Sequence, residues 1–406
     1  MLGPSLHAIS KGASAARLNP LYMEQLVSVA KSLSAAKVPV VFSLMHLAHL
    51  TNTSWTSLRA SIKREVNDYR NFEIRKRSGG NRRICAPNPM LKRLQKWIHL
   101  HILHSPGALR RLHRASAAYA PKSSILKNAG THVGCAWLIK VDIKDFFESI
   151  SERQVYHVFR SLGYPALLSF EMSRLCTRTV QPRRNGSVRK RERKWRWTNK
   201  AQESEKPYAE KNLVGHLPQG APTSAMLANF VVAPMDEEIQ DIADTFGAAY
   251  SRYADDIVLS LDRTADRAVC QEIISAVARV VTHAGFRVNR VKSHISGPGA
   301  RKVVTGLVVN DAVPRLTKVV KDEIELALYH IKKHGLLSHA SRRHSSDPLG
   351  YLNHLTGLIH FARSVDHAYG ARAMEQLNSV LKPYSEMIQM LRTLNATSIN
   401  SKYAFL

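Results

Sequence analysis

Two short apolar runs in this chain meet aspartate. Asp142 closes Leu138-Ile139-Lys140-Val141, and Asp255-Asp256 stands between Tyr253-Ala254 and Ile257-Val258-Leu259. Runs of this length and composition read as strands, and an ionised carboxylate in an apolar strand is costly unless a cation compensates it. Adjacent aspartates at a strand-turn-strand are also common turn formers, so the pair alone has a purely structural reading. The third carboxylate shifts the balance. Carboxylates gathered by one sheet cannot all stay ionised at neutral pH without metal, and oxygen-only ligands point to Mg²⁺. Two such ions about 3.5 to 4 Å apart clamp an in-line phosphoryl displacement, one activating a hydroxyl and one bridging a triphosphate.

Charge points the same way. The 406 residues hold 59 Lys+Arg against 31 Asp+Glu, a formal charge of +28, and 44% are hydrophobic, enough for a real core. The commonest neutralising partner of so basic a chain is nucleic acid, against the plainer reading of an ordinary enzyme with a basic surface. No run is long enough to cross a bilayer; Val38 to Leu50 is too short and contains His46 and His49. Cys85, Cys135, Cys176 and Cys270 lie far apart with no Cys-x-x-Cys pair, so neither a zinc knuckle nor a disulfide framework is indicated, and reduced thiols in a cytoplasm are the simplest reading. The first twenty residues read as a frayed lead-in, with a loose likeness to a transit peptide.

Along the chain, Leu21 to Val66 reads as two or three helices, with Thr53 or Ser54 as a cap. A hairpin with cations on both arms follows, Asn71 to Arg75 and Arg82 to Ala86, then an amphipathic helix over Leu91 to Leu103 and a strand over Trp137 to Ile143. Residues Arg178 to Lys211 contain 12 Lys/Arg, 4 Glu and both Trp195 and Trp197, without periodicity. This is a long loop or insertion: a solvated charge run, or a nucleic-acid contact in which Arg191 and its neighbours hold phosphate while the indoles stack on bases. Beyond it the pattern predicts a helix over Pro222 to Ala233, a hairpin over Ala249 to Leu261, a helix over Arg267 to Ala284, and strands near Phe286 to Asn289 and Val303 to Val309. From Leu316 the chain reads as helical, with helix starts near Asp347 and Asp366. The fold class is α+β with an appended helical domain.

Four blocks in order resemble reverse transcriptases. Tyr253-Ala254-Asp255-Asp256 resembles their YxDD turn, Asp142 to Phe147 their first catalytic motif, Leu217 to Ser224 the loop-and-helix motif beneath the nascent base pair, and Lys76 to Pro87 the basic fingers hairpin. The resemblance implies a right-hand polymerase: an N-terminal helical region (1-66), fingers (67-135), a palm with a ferredoxin-like antiparallel sheet (136-310, carrying the basic insertion 178-211), and a helical thumb (311-406). Carried over residue by residue, it makes Asp142, Asp255 and Asp256 the ligands of two Mg²⁺ ions, with Mn²⁺ as a substitute and the Ile143 carbonyl assisting. Lys76 and Arg82 would meet the incoming triphosphate, Asp145, Gln219 and Gly220 would line the dNTP pocket, and Lys292 would donate a proton to pyrophosphate. Phe147 matches the aromatic gate against a 2′-hydroxyl; its other reading is a core residue beside Phe146.

Two further blocks resemble retron reverse transcriptases of bacteria: Asn128-Ala129-Gly130-Thr131-His132 their NAxxH motif, and Val304-Thr305-Gly306 their VTG motif. Such an enzyme copies part of its own structured noncoding RNA from a guanosine 2′-hydroxyl, leaves branched msDNA, and serves phage defence with a separate effector protein. In the thumb, His339 to His344 and Lys318, Lys321, Lys332 and Lys333 would face phosphate, or simply form a solvated helix face. The competing readings are a group II intron-type or abortive-infection reverse transcriptase, and a non-catalytic RNA-binding scaffold with the same fold.

Overall fold

A computed structural model of the chain describes residues 19–75, 79–179, 214–342, 347–390 and 393. They divide into two compact units, one built from Met1–Ser123, Ile139–Leu259 and Asp266–Ile295, the other from Ser124–Leu138, Ser260–Ala265 and Ser296–Leu406.

The first unit begins with helices α1 (Pro20–Ala35), α2 (Leu44–Leu50) and α3 (Trp55–Ile62), the last capped by Ser54. Strands β1 (Tyr69–Arg75) and β2 (Asn81–Pro87) form the expected antiparallel hairpin, with Ile74 opposite Arg82 and Phe72 opposite Ile84. Helix α4 (Pro89–Trp97) is shorter than its apolar pattern predicted. The chain widens into a π-helical stretch over Ile98–Leu103, where the His104 amide reaches the His99 carbonyl five residues back at 3.1 Å.

Strand β3 (Trp137–Asp142), helices α6 (Glu152–Ser161), α7 (Ala166–Cys176), α8 (Ser224–Val231) and α9 (Ala233–Thr245), strands β4 (Ala249–Tyr253) and β5 (Asp256–Leu261), helix α10 (Arg267–His283) and strand β6 (His294–Ser296) follow in order. Helix α5 (Ile125–Gly130) precedes β3 and belongs to the second unit. The sheet runs β4-β5-β3-β6. With helices linking the first strand to the second and the third to the fourth, this is the βαββαβ order of a ferredoxin-like sheet. Strands β3 and β5 are antiparallel neighbours, because the Ile143 amide meets the Asp255 carbonyl while Ala136 meets Leu261. An antiparallel order of this kind puts the C-terminal end of β3 beside the N-terminal end of β5, which is where the sequence carries its acids.

Three local departures from the pattern have physical reasons. The helix expected over Pro222 to Ala233 is two helices that turn at Val232 and run on to Thr245, with Pro234 accommodated in the first turn of α9. The strand near Phe286 to Asn289 is a single bridge, Val288 to Ile143, and the pairing continues as β6. Helices α6 and α7 were not anticipated, although Ser151-Glu152-Arg153-Gln154 is a capping box in which the Ser151 hydroxyl accepts from the Gln154 amide and the Gln154 side chain from the Ser151 amide.

Glu152, at the start of α6, is fully buried between two arginines. Its Oε2 accepts from Arg64 Nη2 at 2.9 Å and from the Gly215 amide at 3.0 Å, and its Oε1 from Arg174 Nε at 3.2 Å. Burial alone would raise its pKa, but Arg64, then Arg174 and the hydrogen bonds outweigh it and hold the carboxyl below its ordinary value. Beside this network the chain segments that flank the basic stretch meet: Arg178 and His216 exchange both backbone hydrogen bonds, at 3.0 and 2.9 Å.

The second unit carries α5, a three-stranded antiparallel meander of β7 (Val303–Val304), β8 (Leu307–Val308) and β9 (Arg315–Leu316), and helices α11 (Lys318–His334), α12 (Leu336–Arg342), α13 (Pro348–Val365) and α14 (His367–Leu381). Asp347 and Asp366 cap α13 and α14 as expected, accepting from the amides of Leu349 and Tyr369. No helix among the described residues is long and apolar enough to cross a membrane, and all four cysteines are unpaired.

Candidate active site

The turn between β4 and β5 consists of Ala254 and Asp255. Ala254 has φ +57° while Asp255 keeps a negative φ, the sign pattern of a II′ hairpin loop, whose first position usually belongs to glycine. Holding alanine there costs about 1 kcal/mol, strain of the kind that persists where surrounding structure fixes it. The Ile143 amide donates to the Asp255 carbonyl at 2.9 Å, docking the turn on the end of β3. Asp142, 5% exposed, is held from two sides: its Oδ1 accepts from Asn289 Nδ2 at 2.8 Å and its Oδ2 from Lys292 Nζ at 2.9 Å. Its backbone is fixed as well, its amide donating to Ser293 Oγ and its carbonyl accepting from the Asn289 amide.

The three carboxylates therefore share one end of the sheet. Burial pushes the Asp255 carboxyl above its ordinary value, and Asp256 and then Asp142 push it further. The hydrogen bond to Asp142 holds the Lys292 ammonium above its ordinary value in turn. An all-oxygen, like-charged donor set suits a hard divalent cation. The set is not drawn into a closed cage: among the described residues no three His, Cys, Asp or Glu side chains form a ready metal site, and Lys292 supplies positive charge at Asp142 instead.

The loop Leu217–Gly220 lies against the β1–β2 hairpin. The Cys85 amide donates to the Gln219 carbonyl at 2.7 Å, and a Cβ on Gly220, whose φ is +117°, would stand 2.8 Å from Ile84 Cγ2 and 3.3 Å from the Cys85 carbonyl. Both the backbone and the space demand glycine. We expect Gly220→Ala to lower polymerisation at least about tenfold, one to two kcal/mol of local strain, with the thermal midpoint shifting by only a few degrees. Steady-state dNTP kinetics and a melting curve check this. Phe146 takes the core position, 4% exposed against Phe286, and leaves Phe147 half-buried beside it with ring centroids 5.4 Å apart. Asp145 is exposed, with φ +51°, at the start of the turn that carries both rings. Arg82 and Asp255 both act on the phenol of Tyr119, Asp255 raising and Arg82 lowering its pKa beneath a larger rise from burial. Tyr119 also faces Tyr253 at 6.2 Å, so the hairpin cation and the aspartate turn have a common neighbour that the sequence did not single out.

Residues 74–304 match the family model described as reverse transcriptase (RNA-dependent DNA polymerase). The chain belongs to the reverse transcriptase family. It is an RNA-directed DNA polymerase, and it resembles the retron enzymes within that family. Retron Ec86 reverse transcriptase of Escherichia coli is 27% identical over 351 residues, 86% of this chain and 92% of that protein. Retron Mx162 reverse transcriptase of Myxococcus xanthus is 31% identical over 350 residues, 82% of this chain and 66% of the relative. Among solved structures, telomerase from Candida albicans in complex with a TWJ fragment of telomeric RNA aligns with a TM-score of 0.40 at 12% identity. It covers 82% of this chain and 65% of its own.

In this reverse transcriptase the two retron-type blocks, far apart in sequence, meet in the second unit. Thr305 and Gly306 have φ +47° and +86° and form the turn joining β7 to β8, with both φ signs of a I′ hairpin loop. Thr305 Oγ1 lies 3.4 Å from the Ile125 carbonyl at the start of α5, the helix that carries Asn128 and Ala129. Val304, Asn128, Ala129 and His132 are buried, and His132 Nδ1 lies 2.8 Å from Ser260 Oγ. Among the described residues none pairs with the Asn128 side-chain carboxamide.

Burial pushes the His132 ring down to about 4. It is neutral in the fold and becomes charged in the unfolded chain below about 6.5, so its share of stability is present above that pH and is lost as pH falls toward 4. His99 and His216 are also pushed down to about 4, by burial first. Thermal midpoints measured between pH 7 and 4 should fall, and less steeply in His132→Gln.

Lys318 and Lys332 are exposed on α11. His339 is not: it is 5% exposed, stacked on His330 at 5.2 Å and edge-on to Tyr351, so it cannot face phosphate as the sequence suggested. Lys76, Arg191, Trp195 and Trp197 lie outside the described residues. Asn289 and Ser293, which hold Asp142, were passed over in the sequence because polar residues after a strand carry no periodic signal.

Proposed function

We propose that the chain is the reverse transcriptase of a retron, making DNA on its own structured noncoding RNA from a guanosine 2′-hydroxyl and leaving branched msDNA. In this reading it serves phage defence in the cytoplasm with a separate effector protein. The observation that carries it is the meeting of the Val304-Thr305-Gly306 turn with the helix of Asn128 and Ala129, which gives two retron-type blocks one local structure.

Asp142, Asp255 and Asp256, with the Ile143 carbonyl, would hold divalent metal, Mg²⁺ with Mn²⁺ as a substitute. The metal supplies charge for the attacking hydroxyl and the triphosphate. Asn289 and Lys292 orient Asp142, and Lys292 would give a proton to pyrophosphate. Lys76 and Arg82 would take the triphosphate, with Asp145, Gln219 and Gly220 around the nucleotide and Phe147 against its 2′ position. Residues 67–135 would serve as fingers, 136–310 as palm and 311–406 as thumb behind the N-terminal helices of 1–66. Lys318 and Lys332 on the thumb, and Arg191, Trp195 and Trp197 in the basic stretch, would hold RNA.

Nucleic acid copurified with the protein tests this. Digestion with ribonuclease should leave a single-stranded DNA carrying a 2′,5′-branched ribonucleotide, absent from preparations of Asp255→Asn with Asp256→Asn. Linear cDNA without a branch would overturn the retron reading while leaving the polymerase intact.

A further inference from the structure

Arg252 is the largest fully buried side chain among the described residues, 0% exposed, and lies in β4 two residues before Ala254. Its Nε and Nη2 donate to the two oxygens of Asp236 on α9, each at 2.7 Å, and Tyr250 donates to the same Oδ1 at 2.6 Å. Its Nη1 donates to Asn229 Oδ1 and to the Ala254 carbonyl, both at 3.1 Å. Asn229 in turn donates to the Ala118 carbonyl at 2.8 Å. The Arg252 backbone is clamped as well, its amide to the Ala115 carbonyl and its carbonyl to the Ala117 amide, each at 2.8 Å.

A buried ion pair is poor evidence for stability, since well-packed apolar residues do as well or better. Here the geometry has another use. The guanidinium fork spends two donors on Asp236, which fixes its plane, and aims a third at the carbonyl of the one turn residue with a disfavoured φ. That carbonyl belongs to the peptide joining Ala254 to Asp255, so its direction sets how Asp255 leaves the backbone. A lysine ammonium cannot hold both Asp236 oxygens and the carbonyl in one plane.

We infer that Arg252, braced by Asp236 and Asn229, is a positioning residue that holds the Ala254 turn in its strained form and thereby aims Asp255 and Asp256. This rests on the reading of those two aspartates as catalytic.

The test is a cycle of Arg252→Lys, Ala254→Gly and the double variant, with Asp255→Asn as control. Glycine adopts a positive φ without penalty, so it supplies locally what Arg252 supplies from a distance. Arg252→Lys is expected to keep its circular dichroism spectrum and its template-primer Kd. Its kcat should fall by about 30-fold or more with little change in dNTP KM. Equilibrium Mn²⁺ affinity, read from the free-ion EPR signal without nucleotide, should weaken several-fold. Adding Ala254→Gly should restore roughly tenfold of the lost turnover, measured against Ala254→Gly alone. Wild-type turnover in Arg252→Lys overturns the inference, and so does a loss that glycine does not restore, since a packing role gives no such rescue. Should Arg252→Lys fail to fold, Asn229→Ala keeps the pair with Asp236 and loosens Nη1 together with the Ala118 carbonyl. A glycine-rescued loss supports the proposal and unchanged turnover overturns it. Activity in Asp255→Asn would instead sink the catalytic reading itself.

Discussion

Asp255→Asn is expected to abolish RNA-templated extension, a loss on the order of 10³-fold or more, the scale on which members of a catalytic group act. The substitution keeps the size of the side chain and removes only charge. Three carboxylates crowd one end of the sheet and Lys292 compensates Asp142, while burial and the two neighbouring acids push the Asp255 carboxyl above its ordinary value. Removing it relieves repulsion in the metal-free protein. The variant should therefore melt no lower than the wild type without metal, and should lose the stabilisation that Mg²⁺ adds. Primer extension with dNTPs, run beside melting curves with and without Mg²⁺, separates these effects. A variant that extends normally would remove Asp255 from the mechanism.

The opposite pattern is expected at Glu152. Glu152→Ala leaves Arg174, 2% exposed, and the partly buried Arg64 without their shared carboxylate, and strands the Gly215 amide. Breaking a buried pair by removing one partner costs about 3 to 5 kcal/mol, a large fraction of a domain's whole stability. We expect a fall of many degrees in the thermal midpoint and poor soluble yield. Whatever folded fraction survives should have near-normal turnover per active site, because Glu152 lies in the frame that carries the site. Denaturant unfolding combined with active-site titration measures both. Retained stability would mean that the two arginines find other acceptors.

The contrast between these two acids also marks what the sequence made legible. Asp142, Asp255 and Asp256 could be found because each interrupts or ends an apolar run, where a carboxylate stands out against its neighbours. Asp347 and Asp366 were legible as helix caps for a similar reason, each standing just before an apolar periodic segment. Glu152 and Arg252 gave no such signal. Arg252 sits in a strand among polar and aromatic residues, and its partner Asp236 lies on a helix whose acids otherwise read as a solvated face. Pairing of buried charges is decided by tertiary placement, which periodicity does not encode. The π-helical widening at Ile98–Leu103 is hidden likewise, since its apolar spacing fits an ordinary helix. The Thr305-Gly306 turn was legible as a motif, but its contact with the Ile125 carbonyl required the fold.

The paired backbone bonds between Arg178 and His216 bear on how much change the sequence between them tolerates. They bring the two ends of the intervening stretch to adjacent positions. Closing a flexible loop of twice the length costs only about 0.6 kcal/mol more. Lengthening or shortening the sequence between Thr179 and Val214 is thus expected to cost the aspartates little, provided the neck, including the Gly215 amide on Glu152, is kept. A foreign domain grafted within that interval is expected to give the polymerase a new address while the chemistry stays constant.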